Sequence, residues 1–309
     1  MTDPNTPANA AHITIALCTY NGEAHLRAQL ESYLDQHHTN WSLWVSDDGS
    51  SDATLEIIQQ FAREHGAEHP VRVIEGPRKG VVSNYLSLLC HTDFPAGITA
   101  LSDQDDIWLP EKLDHALSSL QITDTPCLYG AQNIHVDNDM TKIGSSNTGN
   151  ATPHFANALV QNIVSGHSAV LSPTALELVR KAGVPEGIPY HDWWLYLLIT
   201  AAGGQVVVDG RPTVLYRQHA ANLMGAHNGW RATFERGMQV LGTTYGSWLD
   251  ANAKALQACN ALLTPDARNA LDSFASRPRS PLMLARLGVR RQGRFSTACV
   301  YLAALLRRI

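Results

Sequence analysis

The segment Trp41-Ser-Leu-Trp-Val-Ser-Asp-Asp-Gly-Ser-Ser-Asp52 joins an apolar run to a cluster of carboxylates and hydroxyls. The apolar part, 41–45, is typical of a buried strand, and the polar cluster begins where that strand ends. The segment 97–106 has the same design, because its apolar run is followed by Asp103, Asp105 and Asp106. Carboxylates that lie close together repel one another. We therefore expect a cation, or a ligand rich in hydroxyls, at the ends of these two strands.

The first 120 residues alternate strand patterns with helix patterns. Short apolar runs predict strands at 13–18, 43–45, 71–74 and 98–101. Amphipathic spacing predicts helices at 23–36, 53–65, 81–90 and 110–120. Ser51 or Asp52 is the predicted cap of the second helix. This alternation predicts an α/β fold with a mostly parallel sheet that helices cover on both faces.

The pattern changes beyond residue 126. Further strands are predicted at 127–136, 168–172, 205–208 and 214–216. A strongly helical segment, 191–202, ends at Gly203-Gly204, and the chain from Gly229 onward is predicted to be helical. We therefore expect a disordered N-terminal segment (1–11), an α/β domain (12–228) and a helical C-terminal extension (229–309).

Composition narrows the class of protein. The chain has 309 residues, of which 44% are hydrophobic and 17% charged, as expected for a globular protein with one large domain and an appendage. Net charge is −5, but residues 273–309 hold eight Arg and no Asp or Glu. The remaining residues, with 15 Lys and Arg against 28 Asp and Glu, carry −13. An acidic body argues against nucleic-acid binding.

Cellular location is also suggested by the sequence. The five cysteines have no CxxC spacing, which is typical of reduced thiols in a cytosolic protein. Residues 1–12 lack an apolar signal-peptide core, and no run reaches the ~20 apolar residues of a membrane span. We expect a cytoplasmic protein. The tail 286–308 mixes Arg with Leu, Val, Phe and Tyr, so it either lies as an amphipathic helix on an anionic membrane or packs on its own domain or a partner.

Three polar clusters, 19–22, 47–50 and 103–106, fall at the ends of predicted strands. Any one of them alone is compatible with an ordinary turn. Ligands of open α/β sheets bind at the carboxyl ends of strands, so the three together predict one ligand site. The chain has no GxGxxG after the first strand and no GxxxxGK[ST] phosphate loop. A nucleotide would therefore be held by carboxylates and a metal, and oxygen ligands at Asp105 and its neighbours suit Mg²⁺ or Mn²⁺ on a diphosphate.

The ordered set Thr19-Tyr-Asn-Gly-Glu23, Ser46-Asp-Asp-Gly-Ser-Ser-Asp52 and Asp103-Gln-Asp105 resembles the nucleotide-sugar site of the family 2 glycosyltransferases, which have the GT-A fold. Within that family, His191-Asp-Trp-Trp194 and Tyr216-Arg-Gln-His219 are most similar to the bacterial rhamnosyltransferase branch. The resemblance covers roughly residues 12 to 225. It implies a Rossmann-like nucleotide-diphospho-sugar transferase that moves a sugar from dTDP-L-rhamnose, or from a UDP-sugar, to a glycan or lipid-linked acceptor of cell-surface polysaccharide synthesis.

The same resemblance implies roles for individual residues. Asp192 would be the general base of an inverting single displacement, although His191 stands where the family usually has the Glu of a Glu-Asp pair. Asp105 would bind Mn²⁺ or Mg²⁺, with His219 as a further metal ligand. The acceptor-side residues would be Gly166, His167, Trp193 and Trp194. The nucleotide-sugar contacts would be Thr19, Tyr20, Asn21, Glu23, Asp47, Asp48, Lys79, Asp103, Gln104 and Arg217.

Several of these roles have an ordinary structural alternative. Asp192 is either the base or the N-cap of its helix. One of the two adjacent tryptophans is expected in the core and the other in the acceptor pocket. Lys79 and Arg78 either reach the diphosphate or face solvent. His219 is one of 14 histidines, most of which are expected to be structural.

Two rival functions also fit the motifs. One is a module of the same fold that binds a nucleotide sugar or glycan without turnover. The other is a metal-dependent phosphohydrolase that uses the aspartate cluster. Release of free nucleoside diphosphate with and without an acceptor separates both from a transferase.

Overall fold

The computed structural model describes residues 11–120, 122–146, 152–218 and 242–309. Within these ranges the strands are β1 (Ile13–Thr19), β2 (Trp41–Asp47), β3 (Val71–Glu75), β4 (Ile98–Ser102), β5 (Ile107–Trp108), β6 (Cys127–Val136), β7 (Lys142–Ser145), β8 (Val170–Leu171) and β9 (Gln205–Arg217). The helices of the first 201 residues are α1 (Leu26–Leu34), α2 (Thr54–His65), α3 (Val81–Leu89), α4 (Lys112–Ser119), α5 (Phe155–Ala158), α6 (Pro173–Ala182) and α7 (His191–Ala201). Those of the C-terminal part are α8 (Thr243–Ala258), α9 (Pro265–Ala275), α10 (Pro281–Arg286) and α11 (Arg294–Leu305). The predicted α/β class is confirmed.

The N-terminal half of the sheet is parallel and has the order β3-β2-β1-β4. Thr19 pairs with Asp47, and Asp47 with Glu75, so the polar ends of these strands lie side by side. All seven residues of β1 and of β2 are buried. Parallel strands covered on both faces require such continuous apolar runs. The four strands predicted in this half lie within β1 to β4, whereas the strand predicted at 168–172 is shorter, because residues 166–168 form a 3-10 helix before β8.

The other half of the sheet is mixed, in the order β4-β8-β6-β9-β5. β6 and β9 are parallel, whereas β8 runs antiparallel to both β4 and β6, and β5 antiparallel to β9. β9 unites the two short strands predicted at 205–208 and 214–216. Its register against β6 jumps from Asp209 to Pro212, which leaves Gly210 and Arg211 as a bulge.

Two hydrophobic cores lie on opposite faces of the sheet, because alternate strand residues point to opposite sides. On one side, β1 residues such as Ile15 pack with α1, α2 and α4. On the other, Ala16 packs in a larger core that contains α3, α6 and α7. The C-terminal helices α8 to α11 contribute side chains to this second core. They therefore share one hydrophobic core with α7.

Helix starts follow local sequence in three places. Ser172, Thr264 and Ser280 each precede a proline, and each hydroxyl accepts a hydrogen bond from the backbone N–H three residues on. These are the starts of α6, α9 and α10. The expected side-chain cap of α2 at Ser51 or Asp52 is wrong, since Ala53 holds the N-cap position. The Asp52 carboxylate instead accepts from the N–H and hydroxyl of Thr54.

In the portion of the chain that the structure describes, no helix is both long enough and apolar enough to span a bilayer.

Replacing Trp194 tests the core around α7. Its side chain has no exposed surface, so Trp194→Ala should lower the free energy of unfolding by about 3–5 kcal/mol in urea denaturation, because it removes buried area and leaves a cavity. Ile143→Ala, on the exposed edge strand β7, is the control and should change it by less than about 0.5 kcal/mol. Equal effects of the two changes would contradict the placement of α7 in the core.

Candidate active site

The loop after β1 is tied to the loop after β2 by reciprocal hydrogen bonds. The side-chain oxygen of Asn21 accepts from the N–H of Ser51 (2.9 Å), and Asn21 itself has a left-handed φ of 47°. The N–H of Glu23 donates to the Asp52 carboxylate (3.0 Å), while the Glu23 carboxylate accepts from the N–H of Ala53 (2.9 Å). Asn21 and Glu23, predicted to contact the donor, therefore fix the relative position of two loops.

Asp47, at the end of β2, is buried and accepts four hydrogen bonds. They come from the hydroxyls of Thr19 (2.8 Å) and Ser50 (2.6 Å) and from the N–H groups of Gly49 (3.1 Å) and Ser50 (2.8 Å). A carboxylate offers about four lone-pair positions. Groups of the chain itself therefore occupy those of Asp47, and Thr19 lies against the same carboxylate.

Asp48 performs the equivalent task for the loop before α3. Its two carboxylate oxygens accept from the N–H of Arg78 (2.6 Å) and the N–H of Gly80 (2.7 Å). Arg78 has a left-handed φ of 57°, and a Cβ added to Gly49 would lie 3.2 Å from its Nε. Lys79, between the two anchored residues, is exposed.

Gln104 pairs with the backbone of Tyr20 through both ends of its amide. The amide oxygen accepts from the Tyr20 N–H (2.9 Å), and the amide nitrogen donates to the Tyr20 carbonyl (3.0 Å). Gly22 leaves room for this pair, because a Cβ at Gly22 would lie 2.4 Å from Oε1 of Gln104. The Tyr20 side chain remains exposed at the rim.

Asp103 and Asp106 meet His167 at the centre of the site. Nδ1 of His167 lies 3.6 Å from Oδ2 of Asp103 and 3.7 Å from Oδ2 of Asp106. The three residues offer ligand atoms that all lie within 4.8 Å of one another, which is suitable for a metal ion. Tyr85, on α3, approaches Oδ1 of Asp103 with its hydroxyl (2.7 Å). In the described part of the chain, Oδ2 of buried Asp106 and Nε2 of His167 lack a hydrogen-bond partner.

Burial and mutual charge set the ionisation of this group. Burial, with Asp105 and Asp103 nearby, raises the pKa of Asp106 to about 8. Burial opposes the charged form of His167, but Asp106 and Asp103 outweigh it and raise the pKa of the imidazole. Burial likewise opposes ionisation of Asp103, yet His167 and Tyr85 lower its pKa overall. At neutral pH the cluster therefore favours a protonated Asp106, and the opposite shifts of Asp103 and His167 favour an ion pair between them.

Lys112 is a buried cation below this cluster that the sequence analysis missed. Its Nζ donates to the carbonyl oxygen of His167 (2.6 Å) and lies 4.2 Å from the centre of the Trp108 ring. Burial lowers its pKa to about 7, against the opposing effect of Asp106 and Asp103. The sequence does contain a pattern that indicates the burial of Lys112. Residues four apart lie on the same face of a helix, and Lys112 lies four residues before Ala116, on the buried face of α4.

Arg217, predicted to bind a diphosphate, is buried at the end of β9. Its N–H donates to Oδ1 of Asp106 (3.2 Å), its Nε to the carbonyl of Asp105 (3.2 Å) and its Nη1 to the carbonyl of Asn138 (3.2 Å). These bonds hold the backbone of the acidic loop against β9. His219, two residues further, lies outside the described residues, so its predicted metal contact stays a prediction.

Asp192 lies in the first turn of α7, opposite the acidic loop. It is not the N-cap, which is Tyr190. Its carboxylate accepts from the N–H of Gly166 (3.1 Å) and from that of Trp193 (2.7 Å). Burial raises the pKa of Asp192, and the negative charge of Asp103 adds to this effect. Asp192 and Asp103 are thus close enough to influence each other's ionisation.

His191 lies close enough to both carboxylates for each to act on its ionisation. Its ring stacks on Tyr85 at 4.1 Å with an interplanar angle of 20°, and a Cβ at Gly166 would lie 2.6 Å from its Nε2. Burial lowers the pKa of His191, although Asp192 and Asp103 oppose this. Glycine at 166 is therefore required by the close approach of a largely neutral imidazole.

The acceptor-side assignment of the two tryptophans needs correction. Trp193 is 4% exposed and donates through Nε1 to the carbonyl of Ala158 (2.7 Å), and Trp194 is 0% exposed. Both are core residues, because α7 is buried on nearly every side. Gly166 and His167, the other acceptor-side residues, do lie beside Asp192 and Asp103 respectively.

Comparison with known proteins assigns this arrangement to a family. Residues 14–175, which are more than half of the chain, match the family model described as glycosyl transferase family 2. The chain belongs to this family. The matched region includes all three loops of the site up to His167 and ends before α7.

This glycosyltransferase is similar to two bacterial proteins that are named for their donor sugars. The dTDP-rhamnosyl transferase RfbG of Shigella flexneri is 26% identical over 241 residues, which are 75% of this chain and 80% of that protein. The UDP-Glc:alpha-D-GlcNAc-diphosphoundecaprenol beta-1,3-glucosyltransferase WfgD of Escherichia coli is 27% identical over 133 residues, which are 43% of this chain and 49% of that protein.

Solved structures show the same GT-A fold. The mannosyltransferase PcManGT from Pyrobaculum calidifontis, solved with GDP-Man and Mn²⁺, has a TM-score of 0.53 at 18% identity and covers 96% of this glycosyltransferase and 85% of its own chain. TarS 1–349 of S. aureus, solved with UDP-GlcNAc, has a TM-score of 0.52 at 14% identity and covers 96% and 91%.

The contact between Gly22 and Gln104 gives a double-mutant test. Gly22→Ala should force the Gln104 amide away from Tyr20 and lower the free energy of unfolding by about 1–3 kcal/mol, the value of two hydrogen bonds. Gln104→Ala should cost a similar amount, and the double variant little more than either, as measured by urea denaturation. Gly210→Ala, where a Cβ meets open space, is the control. Fully additive costs would show that the two residues act independently.

Proposed function

We propose that this glycosyltransferase transfers L-rhamnose from dTDP-L-rhamnose to a hydroxyl of a growing cell-surface polysaccharide or lipid-linked glycan, with inversion at the anomeric carbon. The donor is supported by the similarity to RfbG over three-quarters of the chain. The names of the solved relatives mention other nucleotide-diphosphate sugars, GDP-Man and UDP-GlcNAc, which supports the donor class. WfgD is named for a diphosphoundecaprenol-linked acceptor, which supports a lipid-linked glycan.

The observation that carries the proposal is the environment of Asp192. A general base must hold a fixed orientation, keep access to its substrate and have a pKa near the working pH. The N–H groups of Gly166 and Trp193 orient the carboxylate, which is only partly buried, and burial raises its pKa. In our proposal Asp192 takes the proton of the acceptor hydroxyl as that oxygen attacks the sugar.

We propose that His191 supports the base Asp192 without adding a negative charge beside it, unlike the glutamate that the family usually has at this position. A glutamate at this position would place a third carboxylate beside Asp192 and Asp103. The imidazole, stacked on Tyr85, has a lowered pKa and is mainly neutral. We propose that His191 keeps the two carboxylates apart and limits the rise in the pKa of Asp192 that another negative charge would cause.

The donor would be held by the loops after β1, β2, β3 and β4. Tyr20 and Lys79 are exposed and are the proposed contacts with the nucleoside diphosphate. Thr19, Asn21, Glu23, Asp47, Asp48 and Gln104 are proposed to shape the pocket through the hydrogen bonds that they make within the chain. Arg217 would act in the same way, by holding the acidic loop.

A divalent ion fits the acidic loop, where carboxylate oxygens are the ligands that Mn²⁺ and Mg²⁺ prefer. We propose that Asp105 and Asp103 hold it, because both are partly exposed and leave room for a diphosphate. When bound, the ion would stabilise the negative charge of the departing nucleoside diphosphate. His167 would support the loop through its ion pair with Asp103 and its contact with the protonated Asp106.

A second ligand set is favoured by one observation. Asp103, Asp106 and His167 offer three clustered ligand atoms, and two buried polar atoms of this group lack hydrogen-bond partners in the described part of the chain. A metal in this cluster would replace the proton on His167. Its ligands, however, are nearly inaccessible, since Asp106 and His167 are buried.

Asp192→Asn tests the proposed reaction. The change should lower the rate of rhamnose transfer by about 10²–10⁴ because the amide cannot accept the proton, whereas donor affinity should change less than about threefold, since Asp192 lies on the acceptor side. Transfer by the wild-type chain should fall as pH drops through the pKa of Asp192, which burial raises above 3.8. Transfer and donor binding are measured by product formation and calorimetry.

The control for this variant is Asp272→Asn, an exposed carboxylate on α9. Loss of donor binding together with transfer would make Asp192 a structural residue. Nucleoside diphosphate release that does not depend on an acceptor would indicate a phosphohydrolase, and bound donor without any release would indicate a binding module.

The two metal proposals are separated by a pair of variants. Asp105→Asn should weaken the Mn²⁺-dependent affinity for the donor by about 10–100-fold or more. Changes to residues that only support a metal ligand already cost that much affinity, and Asp105 is proposed to bind the ion directly. His167→Gln should leave the Mn²⁺ dependence intact and lower thermal stability, because it removes the ion pair with Asp103 and the contact with Asp106. The reverse pattern in calorimetry would place the ion in the Asp103–Asp106–His167 cluster.

A further inference from the structure

The outer face of helix α11 is apolar. Its exposed residues are Phe295 (51%), Leu302 (43%), Leu305 (67%) and Leu306 (55%), the last directly after the helix, with exposed Ala298 between them. At 3.6 residues per turn these five positions fall within an arc of about 100°. Soluble helices normally present charged and polar residues on this side. Among the residues that the structure describes, none covers this arc.

The inner face of α11 holds the helix in a fixed position. Cys299, Val300, Ala303 and Ala304 are buried in the core that also contains α7. The outer arc is therefore presented by a packed element and does not need a rearrangement to become accessible.

The part of the chain that contains α11 is rich in positive charge. From residue 273 to the end there are eight arginines and no acidic residue. Three have partners, because Arg277 and Arg279 bond to Asp250, and Arg291 bonds to the carbonyl of Val160 and the hydroxyl of Tyr245. The others are exposed, and none makes an ion pair within the described ranges: Arg286, Arg290, Arg294, Arg307 and Arg308.

We propose that the outer face of α11, with the exposed Arg294, Arg307 and Arg308 at the two ends of the helix, binds the surface of an anionic lipid bilayer. The apolar arc would enter the boundary between headgroups and acyl chains, and the guanidinium groups would pair with lipid phosphates. The helix has 12 residues, about 18 Å, so it is too short to cross the bilayer and would lie in the plane of the interface.

Charge favours a lipid surface over a second copy of the chain. A two-fold dimer through this face would bring the same patch of each copy together. Each copy would place unpaired arginines beside those of the other, with no carboxylate after Asp272 to compensate. Anionic headgroups provide the missing negative charge. The inference rests on the surface alone and does not depend on the proposed reaction.

Vesicle flotation of the full chain, without donor or acceptor, tests the proposal. The wild-type chain should float with vesicles of phosphatidylglycerol and phosphatidylcholine in equal parts and should not float with phosphatidylcholine alone. Leu305→Gln combined with Leu306→Gln should reduce the bound fraction at least tenfold. Arg294→Gln combined with Arg308→Gln should reduce it as well, and added salt should release the wild-type chain.

Matched controls come from other surfaces of the same chain. Ile143→Gln changes an exposed apolar residue of β7 and Arg63→Gln an exposed arginine of α2, and neither should alter flotation. An unchanged thermal melting curve shows that each variant is folded. The proposal is overturned by absence of flotation, by equal flotation with both vesicle types, or by equal losses in the controls. It is also overturned if sedimentation shows a dimer that the double leucine variant dissociates.

Discussion

The site depends on how negative charge is buried between β4 and α7. Asp103 and Asp106 lie against His167, whose pKa they raise, and Lys112 bonds to the carbonyl of that histidine from below. Without His167 and Lys112 the loop would hold Asp103 and Asp106 together with no positive group beside them, and a buried charge without a partner is costly.

Around that centre, the loops that follow the strands are held together by side-chain hydrogen bonds and not by strand or helix pairing. Asp47, Asp48, Asn21, Glu23 and Gln104 each join two segments that are distant in sequence. The parallel strands bring these segments to one edge, and side chains then fix their separation. Family motifs of this kind therefore specify the shape of the pocket as much as its contacts, which explains why short sequences such as Asp-Asp-Gly-Ser mark the site.

Sequence could predict the strands and the strand-end loops, because continuous apolar runs identify buried parallel strands and their ends. It could not show that Tyr85 and His191 stack, or that Lys112 lies under His167, since these contacts join segments far apart in the chain. Sequence also could not show that both Trp193 and Trp194 are core residues. Helix α7 is apolar on nearly all sides, so periodicity gives no clue to which residues face a pocket.

The proximity of Asp103 to Asp192 links the two halves of the site thermodynamically. Because the charge of Asp103 raises the pKa of Asp192, any positive ligand that neutralises Asp103 makes Asp192 release its proton more readily. Linkage is reciprocal, so an ionised Asp192 in turn favours the positive ligand. A positive ligand at Asp103 would thus favour the ionised form of Asp192, which is the form that accepts a proton.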